Sequence, residues 1–228
     1  MHVPDGFLDA PTSAATAAVA VVGIGIALRG SRRELDDRTA PLAGLVATFV
    51  FASQMINFPV AGGTSGHLIG GALTAVLIGP YTGLLCMTVV LTVQALLFAD
   101  GGITALGTNV VLLGIVTVVV GHLAFRAAQL VLPKRVAMVA PAAAVGAFAS
   151  VACSAMTFVL LYRVGGVVDI PMDTLLVAML GVHTVIGLCE ALITGLVVAS
   201  IISVRPDLVH GARRLTSKRT LETRLVVS

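Results

Sequence analysis

Residues 175–204 read LLVAMLGVHTVIGLCEALITGLVVASIISV, an apolar run with Glu190 as its one formally charged side chain. A helix crossing a bilayer needs about 20 mainly apolar residues, and this stretch exceeds that. A soluble domain of this size would have a polar face on such a helix; here every face is greasy. The run therefore reads as a transmembrane helix, and it sets the fold class for the whole chain.

Working outward, six further runs share this character: 11–29, 41–59, 67–80, 82–99, 104–125 and 136–162. The breaks between them are turn-like, among them Arg29-Gly30-Ser31, Pro59 to Gly66, Gly79-Pro80, Asp100-Gly101-Gly102 and Pro133-Lys134-Arg135. Proline and glycine end helices for steric and entropic reasons. The run 67–80 is short and glycine-rich, which suits a re-entrant segment or one buried among its neighbours. The runs 136–162 and 175–204 are long enough to tilt or to emerge from the bilayer. Composition agrees: 57% of the 228 residues are hydrophobic and 11% are charged, with a mean hydropathy of +1.05. Globular soluble proteins carry about 25% charged residues. The expected fold is an all-α polytopic bundle of about seven transmembrane helices.

Basic residues give a separate test, because they concentrate in cytoplasmic loops. Arg29, Arg32, Arg33 and Arg38 follow the first run; Arg126, Lys134 and Arg135 follow the fifth; Arg205, Arg213, Arg214, Lys218, Arg219 and Arg224 follow the last. Seven spans with the N-terminus outside put all three groups in the cytoplasm, and only Arg163 falls elsewhere. Residues 1–204 then form one membrane domain, into which an N-terminal segment 1–10 inserts, and 205–228 form a basic cytoplasmic tail. The net charge of +3 comes from these loops and gives no reason to expect nucleic acid. With no Lys or Arg before Arg29, the N-terminus lacks the basic start of a secretory signal and is expected to be retained. Cys86, Cys153 and Cys189 lie in apolar runs and form no CxxC pair, so they read as small buried residues rather than a disulfide framework.

The same parity places loop 60–66 outside, on the side that holds Met1 and His2. About nine residues precede the first span, and extended chain covers about 3.3 Å per residue, so the terminus can fold back to this loop. Met1-His2 carries chemistry of its own. An α-amine has a pKa near 8 and loses its proton at modest cost. With histidine second, the amine, the His2 backbone nitrogen and His2 Nδ1 close a five- and a six-membered chelate ring. An ionised amide nitrogen is a strong in-plane donor that suits tetragonal Ni(II) or Cu(II). His67, at the end of Gly62-Gly63-Thr64-Ser65-Gly66-His67, is the best candidate for the fourth corner. Pro4 and Gly6 shape a turn after the chelate, within which Asp5 hydrogen-bonds. On residues alone, His2 reads more readily as an exposed terminal histidine, and His67 equally well as a helix-start residue satisfied by backbone.

Other polar residues inside the runs are Gln94, Asn109, His183 and Glu190. Such groups usually face the bundle interior or a polar cavity. His183 and Glu190 share a helical face and read as a proton or ion relay or, preferably, as a buried packing pair. Asn57 and Ser65 are candidates to line the external cavity, and His122 and His210 need only a surface role. The glycines 62–66 lack the Gly-Lys-Ser/Thr ending of a phosphate loop, so the chain itself should not bind ATP. Gly66-xxx-Gly70 and Gly187-xxx-Ala191-xxx-Gly195 permit close helix packing.

Taken together, Met1-His2-Val3-Pro4-Asp5-Gly6-Phe7-Leu8, Ser65-Gly66-His67-Leu68-Ile69-Gly70-Gly71-Ala72-Leu73, Val93-Gln94-Ala95-Leu96-Leu97-Phe98 with Asp100-Gly101-Gly102, and Ala105-Leu106-Gly107-Thr108-Asn109 resemble the CbiM/NikM type of protein. These are the substrate-capturing membrane (S) components of cobalt and nickel energy-coupling-factor (ECF) transporters. The resemblance extends to about residue 204. It implies seven helices and a Ni(II) or Co(II) site made by the Met1 amine, the His2 backbone nitrogen and imidazole, and the His67 imidazole. It implies metal as transported substrate rather than cofactor. It also implies partners: a transmembrane coupling subunit, cytoplasmic ATPase subunits and a small accessory membrane subunit, all in the cell membrane. Pro4-Asp5 resembles the nickel members more than the cobalt ones. Two other classes fit the residues less well: a stand-alone secondary cation transporter or channel using Glu190 and His183, and an intramembrane enzyme, for which no nucleophile–base set is present.

Overall fold

The computed structural model describes residues 1–36, 39–56, 58–59 and 65–216. Seven helices follow in order: α1 Ala10–Ser31, α2 Thr39–Gln54, α3 Gly71–Ile78, α4 Pro80–Leu97, α5 Leu106–Val131, α6 Val139–Gly165 and α7 Met172–Val204. Five of them, α1, α4, α5, α6 and α7, are long and apolar enough to cross a membrane. The only strand pairing among the described residues is a two-rung antiparallel ladder of Phe58–Pro59 with Ser65–Gly66, plus a bridge from Leu8 to Gly166.

The helices meet lipid in the manner expected of a membrane bundle. In α7 the buried positions are Leu175, Met179, His183, Ile186, Gly187, Glu190, Thr194 and Val198, a stripe of three- and four-residue steps. Between them Val177, Val185, Leu188, Leu192 and Leu196 are exposed. An outward face this apolar suits a membrane-spanning helix. The buried stripe packs along α6, the most extensive helix pairing in the molecule, with Gly187 facing Phe148 and Gly195 facing Ala144. The small-residue pattern expected on α7 thus serves close packing. Gly66-xxx-Gly70 does not: Gly66 is in the ladder and Gly70 precedes α3.

The expected span 67–80 is shorter than its apolar run. Residues 67–70 are not helical, and α3 has eight residues, all buried. At 1.5 Å per residue it is about 12 Å long, and it sits enclosed by α2, α4, α5, α6 and α7. Gly79, at φ +97°, then turns the chain into α4. Glu34 caps that corner, accepting the Thr82 N–H at 2.7 Å and the Tyr81 N–H at 3.3 Å, where the helix dipole favours a carboxylate. Helix α5 holds a π-helical stretch, Val110–Val116. Of the cysteines, Cys86 is half-buried while Cys153 and Cys189 are exposed, so the expectation of burial fails for two of the three.

Residues 1–9 turn inward against the bundle. Asp9 caps α1 through Thr12 N–H at 2.8 Å, while the Asp9 N–H donates to Gly165 O at 2.7 Å. Phe7 packs against Phe158 and Tyr162, and its carbonyl accepts the Val167 N–H. Met1 is 0% exposed. Asn57 and residues 217–228 lie outside the described residues, and only the backbone of Ser65 is described.

Candidate metal-capture site

Extended chain inside a bundle is costly unless its amides find partners. The N-terminal segment finds them on α5 and on the loop before it. Asn109 acts as a short strand edge: its Oδ1 accepts the Val3 N–H at 2.7 Å, and its Nδ2 donates to Val3 O at 3.1 Å. The Gly102 N–H donates to the same carbonyl at 2.9 Å. Asp5 accepts two bonds from Thr104, from its N–H at 2.8 Å and its hydroxyl at 2.5 Å. The two bonds hold the Asp5 carboxyl below its ordinary range. Asp5 was expected to bond within its own turn; it reaches across to the loop after α4 instead. Gly102 lies so close to Asp5 that a Cβ there would fall 2.4 Å from the Asp5 backbone nitrogen. Ser154 on α6 donates to Leu112 O at 2.8 Å and lies 3.4 Å from the Met1 sulfur.

The second extended piece, 67–70, is held from the other side. Glu190 accepts the Ile69 and Gly70 N–H groups at 2.7 and 2.8 Å, one on each oxygen. Gln54 donates to Ile69 O at 2.6 Å. The expected pairing of His183 with Glu190 therefore does not form: Glu190 is used by the 67–70 backbone, and His183 Nδ1 bonds to Met179 O at 2.8 Å.

Between these two pieces the imidazoles of His2 and His67 stack, with ring centroids 4.5 Å apart and planes inclined by 25°. His67 is 0% and His2 5% exposed. His67 Nδ1 lies 2.8 Å from Leu68 O. A carbonyl can only accept, so Nδ1 carries the proton and Nε2 keeps its lone pair. His67 Nε2, His2 Nε2 and His183 Nε2 are all buried without a hydrogen-bond partner among the described residues. A ring N–H held by a backbone carbonyl, with the other nitrogen bare, is the usual posture of a metal-ligating histidine.

His2 departs from expectation in one respect. Its Nδ1, the atom expected to close the chelate, lies 2.8 Å from Asp100 Oδ1. Burial pulls the His2 imidazole below its ordinary value, against the opposing pull of Asp100. Burial likewise drives the Met1 amine down from 8.0 to about 4, again opposed by Asp100. The amine is then uncharged at neutral pH, the form that can donate a lone pair. Gln94 is fully buried near His2. Among the described residues no three His, Cys, Asp or Glu side chains gather as an ordinary metal cluster; what the fold assembles instead is terminal backbone and two rings. Asp100 and Gln54 were not singled out as site residues from the sequence. Asp100 stood within a recognised block but read as a turn, and Gln54 carried no local signal.

The chain matches the family described as "Cobalt uptake substrate-specific transmembrane region" over residues 2–208. It belongs to that family. A protein of Haloquadratum walsbyi named for metal transport is 42% identical, over 92% of this chain and 93% of its own length. The fused nickel transport protein NikMN of Rhodobacter capsulatus is 33% identical, covering 93% of this chain and 65% of that longer protein. A crystal structure of a transition metal transporter superposes with a TM-score of 0.78 at 32% identity, covering 90% of this chain and 93% of that one. A truncated transporter gives 0.76 at 32% identity, covering 89% and 99%. These relatives are named as transport proteins rather than enzymes, and the chain is a multi-pass membrane protein of the cobalt and nickel uptake class.

Proposed function

We propose that this protein is the metal-capturing S component of an ECF-type importer, taking up Ni(II) or Co(II) as its transported substrate. The ligands are the Met1 amine, the His2 backbone nitrogen, His2 Nδ1 and His67 Nε2. The supporting observation is the burial of Met1 and His2 in the bundle with the His2 ring stacked on His67. In binding, the His2 imidazole turns about its Cβ–Cγ bond, so that Nδ1 exchanges Asp100 for the cation. The Asp100 carboxylate remains close enough to favour the positive charge. Asp5 and Asn109 fix the segment, Glu190 fixes the loop bearing His67, and Gln94 lies behind His2.

The chain crosses the membrane seven times with Met1 outside, counting α2 and, as one crossing, the extended residues 67–70 together with α3, and its basic loops face the cytoplasm. ATP hydrolysis belongs to partner subunits that reorient the bundle through a coupling subunit, with a small accessory membrane subunit. The rival reading as a stand-alone transporter using Glu190 and His183 loses support, because Glu190 is committed to two backbone N–H groups. Adding one residue ahead of Met1 displaces the amine from the chelate. Protein purified with that extension should retain no nickel or cobalt by elemental analysis, while its far-UV circular dichroism shows that the helical bundle still forms. Undiminished metal retention overturns the assignment.

A further inference from the structure

At the end of the bundle remote from Met1, the chain leaving α7 folds back beneath the helices. Two 3-10 turns, Pro206–Leu208 and His210–Ala212, carry it. Val209 and Ala212 are 0% exposed, and Gln129 of α5 donates to Gly211 O at 3.1 Å. This return path borders a partly open cavity of about 380 Å³ lined by His122, Phe125 and Arg126 of α5 and by His210, Arg213 and Arg214. His122 and His210 were expected to have only a surface role; both are half-buried and face this space.

Its chemistry is one-sided. Three guanidinium groups, charged at any physiological pH, share the cavity with two imidazoles whose Nδ1 atoms are buried without a partner among the described residues. No carboxylate lines it among those residues. His210 reports the imbalance: burial first, then Arg213, His122, Arg126 and Arg214, push its imidazole down to about 4. The four neighbours that depress it most, Arg213, His122, Arg126 and Arg214, are all basic. Fork-shaped donors crowded around a partly open space fit a tetrahedral oxyanion, which offers several acceptor oxygens for bidentate bonding.

Position narrows the source. From Asn109 to Arg126 along α5 is about 25 Å at 1.5 Å per residue, close to the hydrocarbon thickness of about 30 Å. The cavity therefore lies where the helices leave the apolar layer, on the side of the basic loops. Basic pockets at that level take anionic lipid head groups.

We propose that the cavity formed by α5 and the returning segment 206–216 binds a phosphate oxyanion, presented by the head group of an anionic lipid. The proposal does not depend on the metal-capture reading. The full chain, purified in detergent, is unfolded thermally with added phosphatidylglycerol, with phosphatidylcholine and with inorganic phosphate. Phosphatidylglycerol should raise Tm while phosphatidylcholine does not. In the Arg126→Gln/Arg213→Gln double variant the same rise should need about thirtyfold more lipid, in keeping with the loss of two basic contacts at a membrane surface. If inorganic phosphate reproduces the rise in the native chain alone, the oxyanion site stands and its source is soluble. The proposal is overturned if neither lipid nor phosphate moves Tm, or if both proteins respond equally. Should the double variant fold poorly, His210→Gln with lipid retention read by native mass spectrometry decides the matter: retention equal to that of the native chain also overturns it.

Discussion

The segments 1–9 and 67–70 solve the same problem by different means. Each is non-helical chain sunk into an apolar bundle, and each presents one histidine to the other. Segment 67–70 is clamped by one carboxylate, Glu190, that takes two N–H groups, with Gln54 holding the intervening carbonyl. It is continuous with α3 and tied to α7, so His67 is fixed by the bundle itself. Segment 1–9 is secured by several smaller contacts: Asn109 on Val3, Thr104 on Asp5 and Gly165 on Asp9. One histidine is set by the frame and the other is carried on the terminal segment. The comparison teaches that a two-part site needs only one rigid half, provided the second half has enough small anchors to return to the same place.

Substitutions that remove these anchors test the distinction. Glu190→Ala should have the largest effect, because two buried N–H groups lose an acceptor at once. Each buried unsatisfied group costs about 1–3 kcal/mol, so a loss of about 2–6 kcal/mol in stability is expected from denaturation of the purified protein. A loss near zero would mean that 67–70 is not held by the bundle. Asn109→Ala removes one donor and one acceptor from Val3, while Gly102 still serves the Val3 carbonyl. Its expected cost is about 1–3 kcal/mol, accompanied by weaker metal retention because Met1 and His2 lose their nearest anchor. Stability lost with metal retention intact would separate the segment from the site. Asp5→Ala should be smallest, since Asp5 and Thr104 meet at the exposed rim; a slight fall in Tm with metal retention nearly unchanged is expected. An effect as large as that of Asn109→Ala would show that the terminal half depends on its rim.

The helical frame was legible in the sequence because hydrocarbon imposes a length and a composition on whatever crosses it. Six of the seven apolar runs became helices near their expected places. The run 67–80 misled because hydropathy records burial, not helicity. Its first residues are buried as extended chain, and only Glu190 and Gln54 make that tolerable. The pairing of His2 with His67 was legible from the chelating power of a terminal Met-His and from motif resemblance. Asp100 beside His2, Gln54 on Ile69 and the Glu190 clamp were not, since these partners are 98, 15 and 121 residues apart. Local pattern holds no information about such choices; only the closed bundle makes them.

The eight buried residues of α3 also bear on how the protein is made. A rod of about 12 Å cannot bridge an apolar layer of about 30 Å, so on leaving the ribosome it has no stable lodging in lipid alone. The walls that later surround it come largely from α4, α5 and α6, all synthesised afterwards. Biogenesis must therefore keep the stretch ahead of Pro80 sheltered until downstream helices arrive, and that waiting period is when the nascent chain is most open to quality-control proteases.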